Sequence, residues 1–220
     1  MKLRLAVFDL DGTLVDSRAD LVAAVGVMRR HFHLPPLSDE TVQLAIGDGA
    51  YELARRTLLD APQVSLEEGL SRLLSGYRAA LCVHTRPYPG VMELLRTWQA
   101  AGVTMAVLTN KPQEMTDALL QSLGMNSFFA VSWGPEGAGC KKPEAGGLIR
   151  LMELHRALPE ETVMIGDHHT DSRCGRAAGV AYLHFTGGLG RLEVQDPAAD
   201  LCFDQHAELL SWSQTREAGD

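Results

Sequence analysis

Short unbroken apolar runs alternate along the chain with longer stretches whose apolar residues recur every three or four positions. The first run, LRLAVFDL at residues 3–10, is short and almost wholly apolar, and it predicts a strand buried on both faces. VTMAVLT at 103–109 predicts a second strand, with Gly102 closing the helix before it. A weaker run at 128–133, then TVMIGD at 162–167 and short runs at 180–185 and 200–204, predict four more. Helical spacing fills the intervals at about 90–101, 112–123, 144–156, 170–178 and 205–213. This alternation predicts an α/β fold, a Rossmann-like parallel sheet with helices on both faces.

Residues 17–85 break the rhythm. They carry no convincing strand pattern and read as four helices, at 17–32, 38–46, 50–59 and 65–81, punctuated by Pro35-Pro36, Gly47 and Pro62. A helical block placed directly after the first strand predicts an inserted all-helical cap domain over 17–85. The core is then 1–16 together with 86–213, and Pro87 and Pro89-Gly90 mark the return to it. Residues 214–220 read as a frayed, flexible tail.

Composition acts mainly by exclusion. With 220 residues, 45% of them hydrophobic, the chain can bury a core of one large domain plus a small one. The formal charge of −8, with no basic cluster beyond Arg29-Arg30, Arg55-Arg56 and Lys141-Lys142, disfavours nucleic acid and membrane surfaces as partners. No signal-peptide pattern precedes the first strand and no apolar run approaches membrane-spanning length. Cys82, Cys140, Cys174 and Cys202 form no C-x-x-C pair and suggest no disulfide framework. These features predict a cytoplasmic protein, a monomer or homodimer, whose partner is a small metabolite.

Four polar clusters fall where strands end or helices begin: Asp9-Leu10-Asp11-Gly12-Thr13, Thr109-Asn110, Lys142-Pro143 and Gly166-Asp167-His168-His169-Thr170-Asp171. The carboxyl ends of parallel strands share one edge, so segments far apart in sequence converge there. Asp9, Asp11, Asp167 and Asp171 would bring four carboxyl groups together, which requires a cation or sharply raised pKa values. Oxygen ligands suit Mg²⁺. Lys142 adds a fixed positive charge, and Thr109 and Asn110 offer a hydroxyl and an amide at a helix start. A cation, a lysine, oriented donors and a carboxylate nucleophile are the parts of phosphoryl transfer.

DLDGTLVDS, LTNK, KKPE and GDHHTD resemble, in order, the four motifs of the haloacid dehalogenase superfamily of phosphohydrolases. The helical insert resembles that superfamily's cap, and LVAAVGVMRRHFHLPP followed by AIGDGAYELARRTL is similar to its phosphoglycolate phosphatase branch. The resemblance implies that Asp9 attacks phosphorus and that Asp11 protonates the leaving group and then activates water. It implies that Thr13 supports the geometry of Asp11 beside the substrate, and that Thr109 and Asn110 bind phosphoryl oxygens. Lys142 would neutralise charge. Mg²⁺ would sit on the Asp9 side chain, the Asp11 carbonyl and Asp167, with Asp171 behind them holding waters or Lys142. In the cap, Gly49 opens a helix and is expected to present backbone N–H groups to an anionic part of the substrate. Asp48 would oppose such a group if it pointed inward, and Arg55 could offset it.

The chain departs from the family pattern in two places. Ala145 stands where a second proline is usual, and His168-His169 replace small residues. The adjacent histidines are expected to diverge, at the surface or behind the site. The GPEGAG segment at 134–139 reads as a loose loop. The expected reaction is hydrolysis of a phosphate monoester, first 2-phosphoglycolate, with sugar, amino-sugar acid or nucleotide monophosphates as alternatives. A dehalogenase would not need Asp11. A phosphomutase would share the core chemistry, and a phosphate-accepting signalling module would need neither Asp11 nor a cap.

Overall fold

The computed structural model describes residues 2–218. Six parallel strands form one sheet: β1 (Leu5–Phe8), β4 (Thr104–Leu108), β5 (Val131–Trp133), β6 (Thr162–Gly166), β7 (Ala181–Phe185) and β8 (Leu201–Phe203). Their order is β5-β4-β1-β6-β7-β8, with Leu5 in register with Thr104 on one side and Thr162 on the other. The chain winds outward from β1 through β4 to β5, then jumps back to β6. The point where the direction reverses lies between β1 and β6, and that crevice is where open α/β sheets bind ligands.

Because side chains alternate along a strand, β1 feeds two cores. Ala6 and Phe8 face a cluster with Val91, Leu94, Leu95 and Trp98 of α5 (Val91–Ala100). Leu5 and Val7 face another with Leu148 and Leu151 of α8 (Gly146–His155). The α5 set recurs at i, i+3, i+4 and i+7, the spacing of one helix face, and each such side chain contributes roughly 1.5–3 kcal/mol on burial.

Residues 18–79 supply α1 (Arg18–His31), α2 (Asp39–Gln43), α3 (Ala50–Arg56) and α4 (Leu66–Ala79). Ser38 and Ser65 cap α2 and α4 by accepting from Thr41 and Glu68 backbone N–H groups. The four helices share their own apolar cluster, centred on Leu21, Val25, Met28, Leu53 and Leu73, which Met115 and Leu189 join from outside the block. Buried Arg29 ties the block together by donating to the Thr57 carbonyl at 2.6 Å and the Pro35 carbonyl at 2.7 Å, with Asp60 as its ion partner.

The two chain crossings into the block lie side by side. A short antiparallel ribbon joins β2 (Val15–Asp16) to β3 (Arg86–Pro87). Buried Asp20 accepts from the backbone N–H groups of His84 and Thr85 and from the Thr85 hydroxyl. Two-residue strands carry no periodicity, so the sequence pattern does not predict them.

Three details differ from expectation. The strand expected at 128–133 is preceded by a 3-10 turn, Asn126–Phe128, and begins only at Val131. The segment at 134–139 is not loose: it forms α7 (Pro135–Ala138), with Pro at its start and Gly139 left-handed at its end. Gln113 Oε1 accepts from Gly134 N at 2.8 Å, and Arg150 donates to the Ala138 carbonyl at 2.6 Å. Finally, α10 (Glu208–Ala218) continues through residues 214–218 of the segment read as a tail, and just before that segment Trp98 Nε1 donates to Ser213 Oγ; residues 219–220 lie outside the described residues. Two helices complete the set: α6 (Gln113–Ser122) after β4 and α9 (His169–Ala178) after β6.

Candidate active site

Asp9 follows the last residue of β1 and Asp167 the last of β6, while Thr109 and Asn110 follow β4. Parallel pairing therefore brings the three strand ends together. Lys142 reaches them from the loop before α8, with its Nζ 2.8 Å from Asp9 Oδ1 and 2.6 Å from Asp171 Oδ1. The Asp171 contact is a hydrogen bond, whereas the Asp9 contact is an ion pair that leaves Asp9 Oδ1 without a hydrogen bond. Asp171 also accepts from His168 N at 3.0 Å, closing the first turn of α9.

Asp167 is fixed from three sides. Its Oδ1 accepts from Thr13 Oγ1 at 2.8 Å, and its Oδ2 accepts from the backbone N–H groups of Leu189 and Gly190 at 2.8 and 2.7 Å. A side chain at Gly12 would strike this carboxylate, since an added Cβ there would lie 2.3 Å from Asp167 Oδ2. Gly12 also has φ +90°, so glycine is required twice over. Thr13 is fully buried, and its hydroxyl holds Asp167 rather than Asp11 or a ligand, which corrects the substrate-facing role expected for it.

Asp9, Asp167 and Asp171 bring carboxylate oxygens within 4.8 Å of one another. Burial raises Asp9 to about 6, against the pull of Lys142. Burial, then repulsion from Asp9 and Asp171, raises Asp167 to about 7. Burial opposes charge on Lys142, but Asp171 and Asp9 overcome it and hold the amine protonated, above the ordinary lysine range. One lysine faces three buried carboxylates, and one of their oxygens lacks a hydrogen bond. An oxygen-only donor set with surplus negative charge fits a hard divalent cation.

Asn110 holds the floor together. Its Oδ1 accepts from Lys142 N at 2.9 Å, and its Nδ2 donates to the Lys142 carbonyl at 3.0 Å and the Gly47 carbonyl at 3.2 Å. This amide thus fixes the Lys142 backbone and touches the helical block. Thr109 Oγ1 accepts from Lys111 N at 3.2 Å. Above the floor, a cleft opens between the strand ends and the helical block, walled by Leu21, Ile46, Leu53, Leu73 and Met115. Gly49 lines it with φ +93°, its backbone close to the Asn110 carbonyl, and the helix it opens has seven residues.

The sequence reading missed Lys111. This lysine is 5% exposed, and its Nζ donates to both Asp11 carboxylate oxygens at 3.1 and 3.0 Å and to Tyr77 Oη of α4 at 2.5 Å. The two lysines are paired separately: Asp11 pairs with Lys111, and Asp171 pairs with Lys142. Lys111 stands in the quoted LTNK stretch directly after Asn110, which was the available signal.

Asp48 does not line the cleft. It pairs with Arg56, and its Oδ1 lies 3.6 Å from His169 Nε2. Arg55 pairs with Glu52. The two histidines do not diverge as expected. Their ring centroids are 4.0 Å apart and both face Asp48. The reason is local: His168 caps α9 in an extended conformation, which turns its ring toward that of its neighbour. His168 is buried, with Nδ1 3.2 Å from Thr170 Oγ1, and burial pushes it down to about 4.

A profile of the family described as haloacid dehalogenase-like hydrolase matches residues 6–185. The chain belongs to that family. A phosphoglycolate phosphatase of Chromobacterium violaceum is 34% identical over 212 residues, covering 94% of this chain and 95% of that one. One from Agrobacterium fabrum is 31% identical, covering 93% and 90%. A solved structure described as a predicted phosphoglycolate phosphatase from Haemophilus somnus has a TM-score of 0.92 at 28% identity, over 97% of this chain and 99% of that one.

Proposed function

We propose that the protein is a magnesium-dependent phosphatase that hydrolyses a small phosphate monoester, 2-phosphoglycolate first, through an aspartyl phosphate on Asp9. The observation that carries this reading is the buried Asp9 carboxylate, charge-paired with Lys142 beside Asp167 and Asp171 at the floor of an open cleft. The phosphoglycolate phosphatases among its relatives support the substrate. A magnesium ion held by Asp9, Asp167 and the Asp11 carbonyl would neutralise charge on the phosphoryl oxygens.

One Asp9 oxygen attacks phosphorus, the ester P–O bond breaks, and Asp11 gives its proton to the leaving oxygen. Asp11 then takes a proton from water as that water attacks the aspartyl phosphate, releasing phosphate and restoring Asp9. Lys142, anchored by Asp171, offsets negative charge on Asp9 and on the phosphoryl group. Thr109 and the backbone around Asn110 receive the phosphoryl oxygens. Residues 17–85 act as the cap over a core of 1–16 and 86–213, and Gly49 contributes to the substrate-facing wall. The four cysteines are unpaired, which fits the cytoplasmic location that belongs to this reading.

The test is phosphate release from a panel of esters with Mg²⁺, reading kcat/KM. The account expects 2-phosphoglycolate at the head of the panel. Release from no ester, or full activity in EDTA, contradicts it. Accumulation of an isomer in place of phosphate indicates a mutase.

A further inference from the structure

We propose that Lys111 is the binding site for a second anionic group of the substrate, a carboxylate, which displaces Asp11 from this lysine. The proposal rests on the phosphatase reading and narrows it to small phosphorylated carboxylic acids.

Lys142 is committed to Asp9 and Asp171. Among the described residues, Lys111 is the one lysine or arginine that lines the cleft. Its ammonium spans both oxygens of Asp11 and also meets Tyr77 from the helical block. A carboxylate is therefore already the group that this ammonium holds, and an incoming carboxylate can take the same place. The side chain is nearly dry, so an ion pair made there is far less screened than one at the surface.

The surroundings narrow the ligand further. Leu21, Ile46, Leu53, Leu73 and Met115 offer no side-chain hydrogen-bonding groups to a sugar ring or a base. Hydroxyls buried against them would lose water without replacement, which selects against polyols. Asp48, the anion that would repel a second negative charge, faces Arg56 and His169 instead. The wall thus admits a short apolar spacer, and Lys111 with Tyr77 reads its charged end.

The exchange also links recognition to chemistry. The carboxylate of Asp11 that serves the leaving oxygen is held on Lys111 here. An ester without a carboxylate leaves Asp11 on the lysine, so it suffers in kcat as well as in KM. A substrate carboxylate frees Asp11 on binding.

The test compares 2-phosphoglycolate with ethyl phosphate, which has a methyl group in place of the carboxylate. Wild type should prefer phosphoglycolate by about 10²-fold or more in kcat/KM, with part of the ratio in kcat. Lys111→Met should collapse that ratio by at least about 10-fold, and Lys111→Arg should restore part of it. In case the variants do not fold, calorimetry on wild type compares phosphonoacetate with methylphosphonate, and the carboxylate-bearing ligand should bind at least about 10-fold tighter. Phosphate release with no carboxylate preference, or a ratio that survives Lys111→Met, overturns the proposal while leaving the phosphatase reading intact. Release from neither ester nor any other overturns both.

Discussion

The floor of the cleft and its wall are held in different ways. On the floor, Asp167 accepts three hydrogen bonds, Asp171 accepts from Lys142 and His168, and Asn110 braces the Lys142 backbone from both sides. These partners all lie outside residues 17–85, apart from Gly47, which Asn110 reaches. On the wall, among the described residues, Asp11 has one ion partner, Lys111, and Lys111 makes one hydrogen bond to the helical block, at Tyr77. The floor is built for a group common to all phosphate esters, so it can be rigid. The wall is where one ester differs from another, and its Lys111–Asp11 ion pair is the proposed point of exchange.

The sharpest break of this contrast is Asp9→Asn. Asparagine is nearly isosteric but is a poor nucleophile, so turnover should fall by at least about 10⁴-fold while the thermal midpoint changes little. Residual activity near wild type would remove Asp9 from its role. Asp11→Asn should be milder, about 10²–10⁴-fold in kcat, the range for a general acid–base. With a very good leaving group, hydrolysis of the aspartyl phosphate should slow more than its formation. Equal slowing of both steps counts against Asp11 as the acid–base.

Thr13→Val tests the floor from behind. It removes the hydroxyl that orients Asp167, and metal affinity should weaken about 10–100-fold, read by calorimetry with Mg²⁺ or Mn²⁺. An unchanged affinity would make the bond merely structural.

The smallest effect is in pH. Asp9 at about 6 and Asp167 at about 7 lie above the usual carboxylate range of roughly 4. Between those values, the folded metal-free chain keeps protons that the unfolded chain has lost. Its stability should therefore fall as pH rises from about 4 to about 7. Metal binding must displace those protons, so metal affinity should rise through pH 6–7 with release of on the order of one proton. Calorimetry in buffers of differing ionisation enthalpy measures it, and a pH-independent affinity would show that the carboxylates are not the ligands.

The sheet and the helical insert were legible because both periods repeat over many residues, as in LRLAVFDL and along α5. Asp9, Asp167, Thr109 and Asn110 were legible as neighbours because strand ends in a parallel sheet converge whatever the side chains do. Pairings across the chain were not. Thr13 finds Asp167 across 154 positions and Lys111 finds Asp11 across 100, and neither follows from spacing. Asp48 was ambiguous for the same reason, since its direction depends on Arg56 and His169. The β2–β3 ribbon and α7 were too short to carry a pattern, and the convergence of His168 with His169 depends on the extended backbone of a helix cap.

The central claim is that phosphate passes through Asp9, and trapping it there is the most direct measurement. Enzyme mixed with excess substrate and Mg²⁺ is acid-quenched within one turnover and reduced with borohydride, which converts an aspartyl phosphate into homoserine. Peptide mapping should then find homoserine at position 9 and nowhere else, and only when substrate was present. Turnover with aspartate intact at position 9, or homoserine at another aspartate, would contradict the account.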